Sequence, residues 1–242
     1  GFVEKARQYG IKVQDIKNNF FSIPTSPAAY EFTRKMYEAL GLNVDNIAQH
    51  FNSFDLIGLN FDHIRYLLSQ DKKFCDIVLS DLDNYDEITD KISKVSMKFN
   101  AVVGNPPYQE TIVGRGDQPP IYHLFLESAY QLADKVAMIH PARFLFNAGL
   151  TPKEWNKKML QDPHLKVVYF EQNSSKVFPN TGFMGGIVIT FRDSNQTFGA
   201  IKVFTSFPEL NTILQKVENR TESTLDKIIT GRGVYMLTKI AH

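Results

Sequence analysis

Phe99-Asn100-Ala101-Val102-Val103-Gly104-Asn105-Pro106-Pro107-Tyr108 is the stretch on which the reading of this chain turns. The run from Phe99 to Gly104 is largely apolar and reads as a strand that stops at two consecutive prolines. Proline fixes φ and carries no N–H, so neither residue can extend a hydrogen-bonded ladder. The strand therefore ends in a stiff corner. In open α/β sheets, ligands gather beyond the carboxyl ends of strands. At this corner Asn105 offers a side-chain carbonyl and an amide, Pro106 a rigid backbone carbonyl, and Tyr108 a flat ring. Two fixed acceptors can take both hydrogens of an exocyclic amine while the ring holds the attached base flat. The set suits an amino-bearing base drawn out of its stack.

Working outward, strand-like and helix-like segments alternate. Ile121, Leu124, Phe125, Ala129 and Leu132 recur at helical spacing behind Pro119-Pro120. Lys135 to His140 reads as a buried strand stopped by Pro141. Thr151-Pro152-Lys153-Glu154 has the form of a capping box opening a helix to about Leu160. Leu165–Phe170 and Gly186–Phe191 read as strands joined without a helix, which predicts an antiparallel edge. Upstream, Phe54–Leu59 and Asp76–Leu79 read as strands, with a helix from Asp62 to Gln70 between them. Residues 1–53 read as helical. Ser26-Pro27 supplies a helix start, Tyr30, Met36, Tyr37 and Leu40 a stripe, and Gly41 a stop. Residues 208–229 read as helical, with Gly231-Arg232-Gly233 after them. The alternation predicts an α/β fold, a mostly parallel sheet with an antiparallel edge strand and helices on both faces.

Composition narrows the function classes. The chain has 242 residues, with Lys+Arg 27 against Asp+Glu 26, and 43% hydrophobic residues. Such a balance suits a globular protein with a real core and excludes a disordered chain or a basic nucleic-acid coat. Cys75 is the single cysteine, so neither an intrachain disulfide nor a cysteine zinc cluster can form, and no metal site is expected. No apolar run approaches the length of about 20 residues that spans a bilayer. No signal-peptide pattern opens the chain. The expectation is a soluble cytoplasmic protein without membrane contact. The chain lacks an initiator Met, which is consistent with a fragment.

Asn105-Pro106-Pro107-Tyr108 after an apolar strand resembles the catalytic motif of amino-group DNA methyltransferases, and its flanks resemble the adenine-N6 enzymes of type II restriction-modification systems. The similarity continues through Pro120-Ile121-Tyr122-His123-Leu124-Phe125, Val136–Leu145 with its Pro-x-x-Phe-Leu loop, and Lys176-Val177-Phe178-Pro179 leading to Gly185–Ile189. It covers roughly residues 54–205, and the four-residue motif is its specific part. The resemblance implies a Rossmann-like methyltransferase fold with three segments: a helical N-terminal segment over 1–53, a catalytic core over 54–205, and over 206–242 a helix and the start of a linker to a target-recognition domain. It implies S-adenosylmethionine as methyl donor and methyl transfer to the N6 amine of a flipped adenine in double-stranded DNA. A restriction endonuclease or target-recognition domain on the same polypeptide is the further partner it implies.

By this resemblance Asn105, Pro106, Pro107 and Tyr108 are the catalytic set, and Phe178 or Phe183 covers the second face of the base. Asn60 stands where the family has a strand-end acidic residue for the cofactor ribose. Asp62 either substitutes for it or caps the next helix. Asp81 matches the residue that contacts the cofactor adenine, or else is a solvated member of the acidic run to Asp90. The family's glycine-rich loop is not visible. Phe21-Ser22-Ile23-Pro24-Thr25-Ser26-Pro27 is either the cofactor-contacting segment that precedes that loop or a divergent remnant of it. His140, at a strand end, reads as a satisfied near-surface histidine or else a substrate contact, Trp155 as a packing residue, and Arg143, Lys176 and Arg192 as solvated cations within reach of phosphates. Three alternatives remain open from sequence: a non-catalytic nucleic-acid-binding module of the same fold, a methyltransferase acting on RNA, and one acting on a protein glutamine.

Overall fold

The computed structural model describes residues 2–79, 99–110, 118–179, 182–207, 209, 210, 213, 216 and 217. The chain divides into one unit over Gly1–Val203 and another over Phe204–His242. In the second unit, positions 209, 210, 213, 216 and 217 are helical. The rest of the expected 208–229 helix and Gly231-Arg232-Gly233 lie outside the described residues.

The first unit opens with α1 (Phe2–Gln8), α2 (Val13–Asn19) and α3 (Pro27–Leu40). Ser26 Oγ accepts the Ala29 N–H, Pro27 holds the first helical position, and Gly41 ends α3 with φ 71°. At that φ a side chain would be strained, so glycine suits the stop. Of the expected stripe, Tyr37 is the buried member. It packs with Val3, Ile16, Leu42 and Ile47, and its hydroxyl meets Ser22 Oγ at 2.6 Å. Met36 is exposed.

Two expected strands are helical. Ser53–Leu56 is a 3-10 turn. Asn52 Oδ1 accepts from Phe54, and Asp55 accepts from the Asn52 N–H. This local box satisfies the backbone without a sheet partner. α4 (Phe61–Leu68) buries Ile64 and Leu68, four residues apart on one face. α5 (Lys72–Leu79) takes the place of the expected strand at 76–79. Its Phe74 is fully buried, with its ring between Phe21 at 5.3 Å, Phe51 at 5.5 Å and Phe99 at 6.2 Å. That aromatic cluster, together with Leu56, Ile64, Leu68 and Leu132, holds α4 and α5 against the start of β1.

The sheet contains β1 (Val102–Gly104), β2 (Lys135–Pro141), β3 (Leu165–Glu171) and β4 (Ile187–Asp193), in the order β1-β2-β4-β3. α6 (Tyr122–Leu132) carries the chain from β1 to its parallel neighbour β2, and α7 (Lys153–Gln161) precedes β3. β4 is antiparallel to both β2 and β3. The antiparallel strand is therefore interior, not at the edge as expected. Its buried Ile187, Val188 and Thr190 suit an inner strand, whereas β3 leaves Val168 and Tyr169 exposed, as an edge strand does. Strands β1, β2 and β3 all point one way, so the turns after β1 and β2 and the β3–β4 connection open at one end of the sheet.

α6 lies against β2. α7 joins the same layer, with Trp155 against Tyr122 at 5.9 Å and Phe144 at 5.5 Å. The opposite face carries Val103, Ala137, Ile139 and Phe191, none of them buried. Helices were expected on both faces; among the described residues the helical layer lies on one. The expected capping box at Thr151 does not form. The helix starts at Lys153, and the Thr151 hydroxyl donates to Asn156 Oδ1 at 2.8 Å. No described helix is long and apolar enough to cross a membrane.

Candidate functional site

β1 ends at Gly104, where a Cβ would stand 2.9 Å from Met138 Sδ. A larger residue there would require the Met138 thioether to move aside at the point where the corner begins. Beyond it, Asn105 is exposed and Pro106, Pro107 and Tyr108 are half-buried. The far side of the corner is tied down: the Tyr108 carbonyl accepts the Ile121 N–H at 3.1 Å, and the Pro119 carbonyl accepts the Glu110 N–H at 3.0 Å.

The corner separates two hollows. Asn105, Pro106 and Pro107 line a cleft of about 1040 Å³. The same cleft is lined by Phe21, Ser22, Ile23 and Thr25, the stretch with the two readings given above, and by Asn18, Asn43 and Asn46. Ser53, Lys73 and Phe74, and Phe125 and Ser128 of α6, line it too. Ser53 Oγ is buried there with no hydrogen-bond partner among the described residues. Asn46 holds the segment in shape, its amide donating to the carbonyls of Lys17, Asn18 and Phe20 at 3.3, 3.2 and 3.1 Å.

Tyr108 lines the second hollow, a pocket of about 40 Å³ shared with Tyr122, Arg143, Gly149, Leu150 and Phe183. The Phe183 ring meets Tyr108 edge-on, with centroids 5.0 Å apart and planes at 68°. Burial pushes the Tyr108 phenol up to about 12, and its oxygen has no hydrogen-bond partner among the described residues. Burial likewise raises Tyr122 to about 12, against the lowering pull of the Thr151 hydroxyl and the Arg143 charge. Beneath Tyr122, His140 stacks at 5.2 Å and 16°. It is fully buried and held down to about 4 by desolvation, so its ring is neutral. Nδ1–H donates to the Pro141 carbonyl at 3.2 Å, and Nε2 accepts from the Thr190 hydroxyl at 2.9 Å. Trp155 packs on Tyr122 and on His123.

The structure thus brings together Asn105, Pro106, Pro107, Tyr108 and Phe183. Phe178 lines neither hollow. Asn60 is not at a strand end: its Oδ1 accepts the His63 N–H at 3.0 Å and caps α4. Asp62 sits in the first turn of α4, and neither residue lines the cleft. Asp81 lies outside the described residues. Sequence reasoning did not single out Ser53, Lys73 or Tyr122, because their placement depends on how α4, α5 and α6 pack. Among the described residues, no three His, Cys, Asp or Glu side chains gather as a metal site would need.

Searches of curated proteins and of solved structures returned no match. The family model described as Eco57I restriction-modification methylase matches residues 18–178, a span that takes in the cleft wall, the corner and the helical layer. Methyl transfer in DNA modification is the activity this family implies, and a Rossmann-like fold is the architecture it suggests for the mixed sheet. This chain belongs to the Eco57I restriction-modification methylase family.

Proposed function

We propose that this chain transfers a methyl group from S-adenosylmethionine to the exocyclic N6 amine of an adenine flipped out of double-stranded DNA, within a restriction-modification system. One observation carries the reading: the Asn-Pro-Pro-Tyr corner borders two hollows, with Asn105 on a wide cleft and Tyr108 on a separate pocket. A donor on one side and a base on the other would meet at Asn105 and Pro106.

The cleft fits the donor in size and in chemistry. Its volume, about 1040 Å³, is at the upper end of ordinary small-molecule sites. Phe21 and Phe99 offer apolar rings for a purine. The asparagine amides and the unpartnered Ser53 hydroxyl offer neutral polar contacts. Lys73 is the one charged side chain among the described lining residues, and it suits a carboxylate. When bound, S-adenosylmethionine supplies an electrophilic methyl group.

The chain's own groups do the rest. The amine's lone pair is delocalised into the adenine ring. Asn105 Oδ1 and the Pro106 carbonyl accept its two hydrogens and favour a tetrahedral nitrogen, which frees the lone pair. Because both acceptors are fixed beforehand, the gain is one of orientation and preorganised electrostatics. No strong base is needed before transfer. The Tyr108 ring stacks on the base, a contact of about 1–3 kcal/mol, and Phe183 stands on the other side. Sequence choice falls to a target-recognition domain, and a restriction endonuclease is the partner activity.

The experiment is incubation with labelled donor and DNA, followed by nucleoside analysis. Label in N6-methyladenine that disappears in Asn105→Ala is the result expected. Label in cytosine, or transfer that does not depend on Asn105, overturns the assignment. The second reading, a nucleic-acid-binding module without transfer, draws on the lack of a carboxylate among the described cleft residues. A calorimetric titration with S-adenosylmethionine separates the two, since a module of that kind gives no heat.

A further inference from the structure

The Tyr108 pocket has a built rim. The loop after β2 and the loop before β4 both reach it: Gly149 and Leu150 line it from one, and Phe183 from the other. Each loop also holds a large apolar side chain out in solvent: Leu150 is 67% exposed and Met184 is 76% exposed. A single exposed leucine is ordinary. Here the two loops that carry them are tied to one residue. Arg143 Nε donates to the Met184 carbonyl at 2.6 Å. The Arg143 stem also fills the space that a side chain at either loop glycine would need. A Cβ on Gly149 would stand 3.0 Å from Arg143 Cδ, and one on Gly185 would stand 2.8 Å from Arg143 Cγ. Both glycines have positive φ, 83° and 90°, which other residues rarely adopt. Lys153 adds a second cation to the first loop, its Nζ donating to the Asn147 carbonyl at 2.5 Å.

We propose that Leu150 and Met184 form a lip that docks on duplex DNA and occupies the space a flipped-out base leaves behind, with Arg143 the positioning residue that ties down both loops. The proposal rests on the reading that Tyr108 receives a base from a duplex. Removing a base from its stack is costly and leaves an apolar hole. An apolar side chain entering that hole offsets part of the cost. The hole must lie within reach of the pocket that took the base, and this rim is what stands there. The cations beside it, Arg143 and Lys153, suit the flanking phosphates.

The test separates the hole from the base. The full chain is titrated against two labelled duplexes, one fully paired and one with a single abasic site, which presents a gap and no base to capture. The wild type should bind the abasic duplex about tenfold tighter than the paired one. The double variant Leu150→Ala/Met184→Ala should lose that preference, and Arg143→Ala should lose it too while its melting temperature stays near that of the wild type. Tyr108→Ala should keep it, because no base is involved. No preference in the wild type overturns the proposal, as does a preference that survives in the double variant, which would mark the lip as a surface for another partner. The proposed function fails separately: Asn105-dependent methyl transfer together with an unchanged preference in the double variant removes the lip and leaves the enzyme.

Discussion

The two sides of the Asn-Pro-Pro-Tyr corner differ in how ready they are. On the Asn105 side lies a cleft of about 1040 Å³, walled by amides, hydroxyls and rings and already open. On the Tyr108 side lies a pocket of about 40 Å³, far short of what a nucleobase needs, with Phe183 edge-on to the tyrosine. The wide side needs only to be filled. The narrow side has to be opened by what enters it, so part of the binding energy there goes into moving Phe183. In the proposed reaction, the choice of base belongs to the narrow side and its alignment to the corner between the two.

The largest expected effect tests the corner. Asn105→Ala should lower methyl transfer by about 10²–10³-fold, the usual loss when one preorganised contact to the reacting group is removed. The far-ultraviolet dichroism spectrum should hardly change, because Asn105 is exposed at the end of β1, and donor affinity should fall far less than transfer, because Asn105 is one of several amides lining the cleft. A parallel loss of donor binding would mean that Asn105 shapes the cleft instead.

Next comes acid, which should strike the narrow side through His140. Its folded value of about 4 lies below the ordinary 6.5. The unfolded chain therefore binds a proton that the folded chain refuses. Nothing is lost above pH 6.5, and stability falls as pH drops from there toward 4, by up to about 3 kcal/mol. His123, lowered by the same cause, adds in the same direction. Urea unfolding at pH 7.5 and pH 4.5 measures the slope, and His140→Gln should flatten it. An unchanged slope in that variant would place the acid sensitivity elsewhere.

Smaller effects compare the two rings. Tyr108→Ala should raise the KM for DNA by the equivalent of about 1–3 kcal/mol, with donor affinity intact. Phe183→Ala should do less, about 0.5–1.5 kcal/mol, the range of an edge-to-face pair. If Phe183→Ala lowers the KM instead, the ring is a plug in the pocket and takes no part in holding the base.

The sheet half was legible in the sequence, the N-terminal half much less so. Lys135–His140, Leu165–Phe170 and Gly186–Phe191 are β-branched and aromatic runs bounded by turn residues, and each is a strand. Asp76–Leu79 is four residues long, and Phe54–Leu59, though as long as those strands, is broken by Asp55 and Gly58; such short apolar runs carry no period to tell strand from helix. What decided the first was local, the Asn52–Asp55 box; what decided the second was tertiary, the seat of Phe74 among three rings distant in sequence. Asn60 is a further lesson, since asparagine before an apolar period is a strong helix cap and it caps α4. At the site, the corner could be read because its chemistry is contiguous. The hold of Arg143 on Gly149 and Gly185 joins residues 36 positions apart, and no local pattern announces it.

The reversed direction of β4 has a practical side. With the working connections gathered on one rim of the sheet, the chain turns at the far rim through Ser194 and Asn195, whose side chains bind Asp134 at 2.6 and 3.1 Å. Gln196 follows on that rim and is exposed. A dye or an affinity handle attached at position 196 would sit at the end of the sheet opposite the Asn105–Tyr108 corner, which makes it the place to tether this chain for single-molecule work.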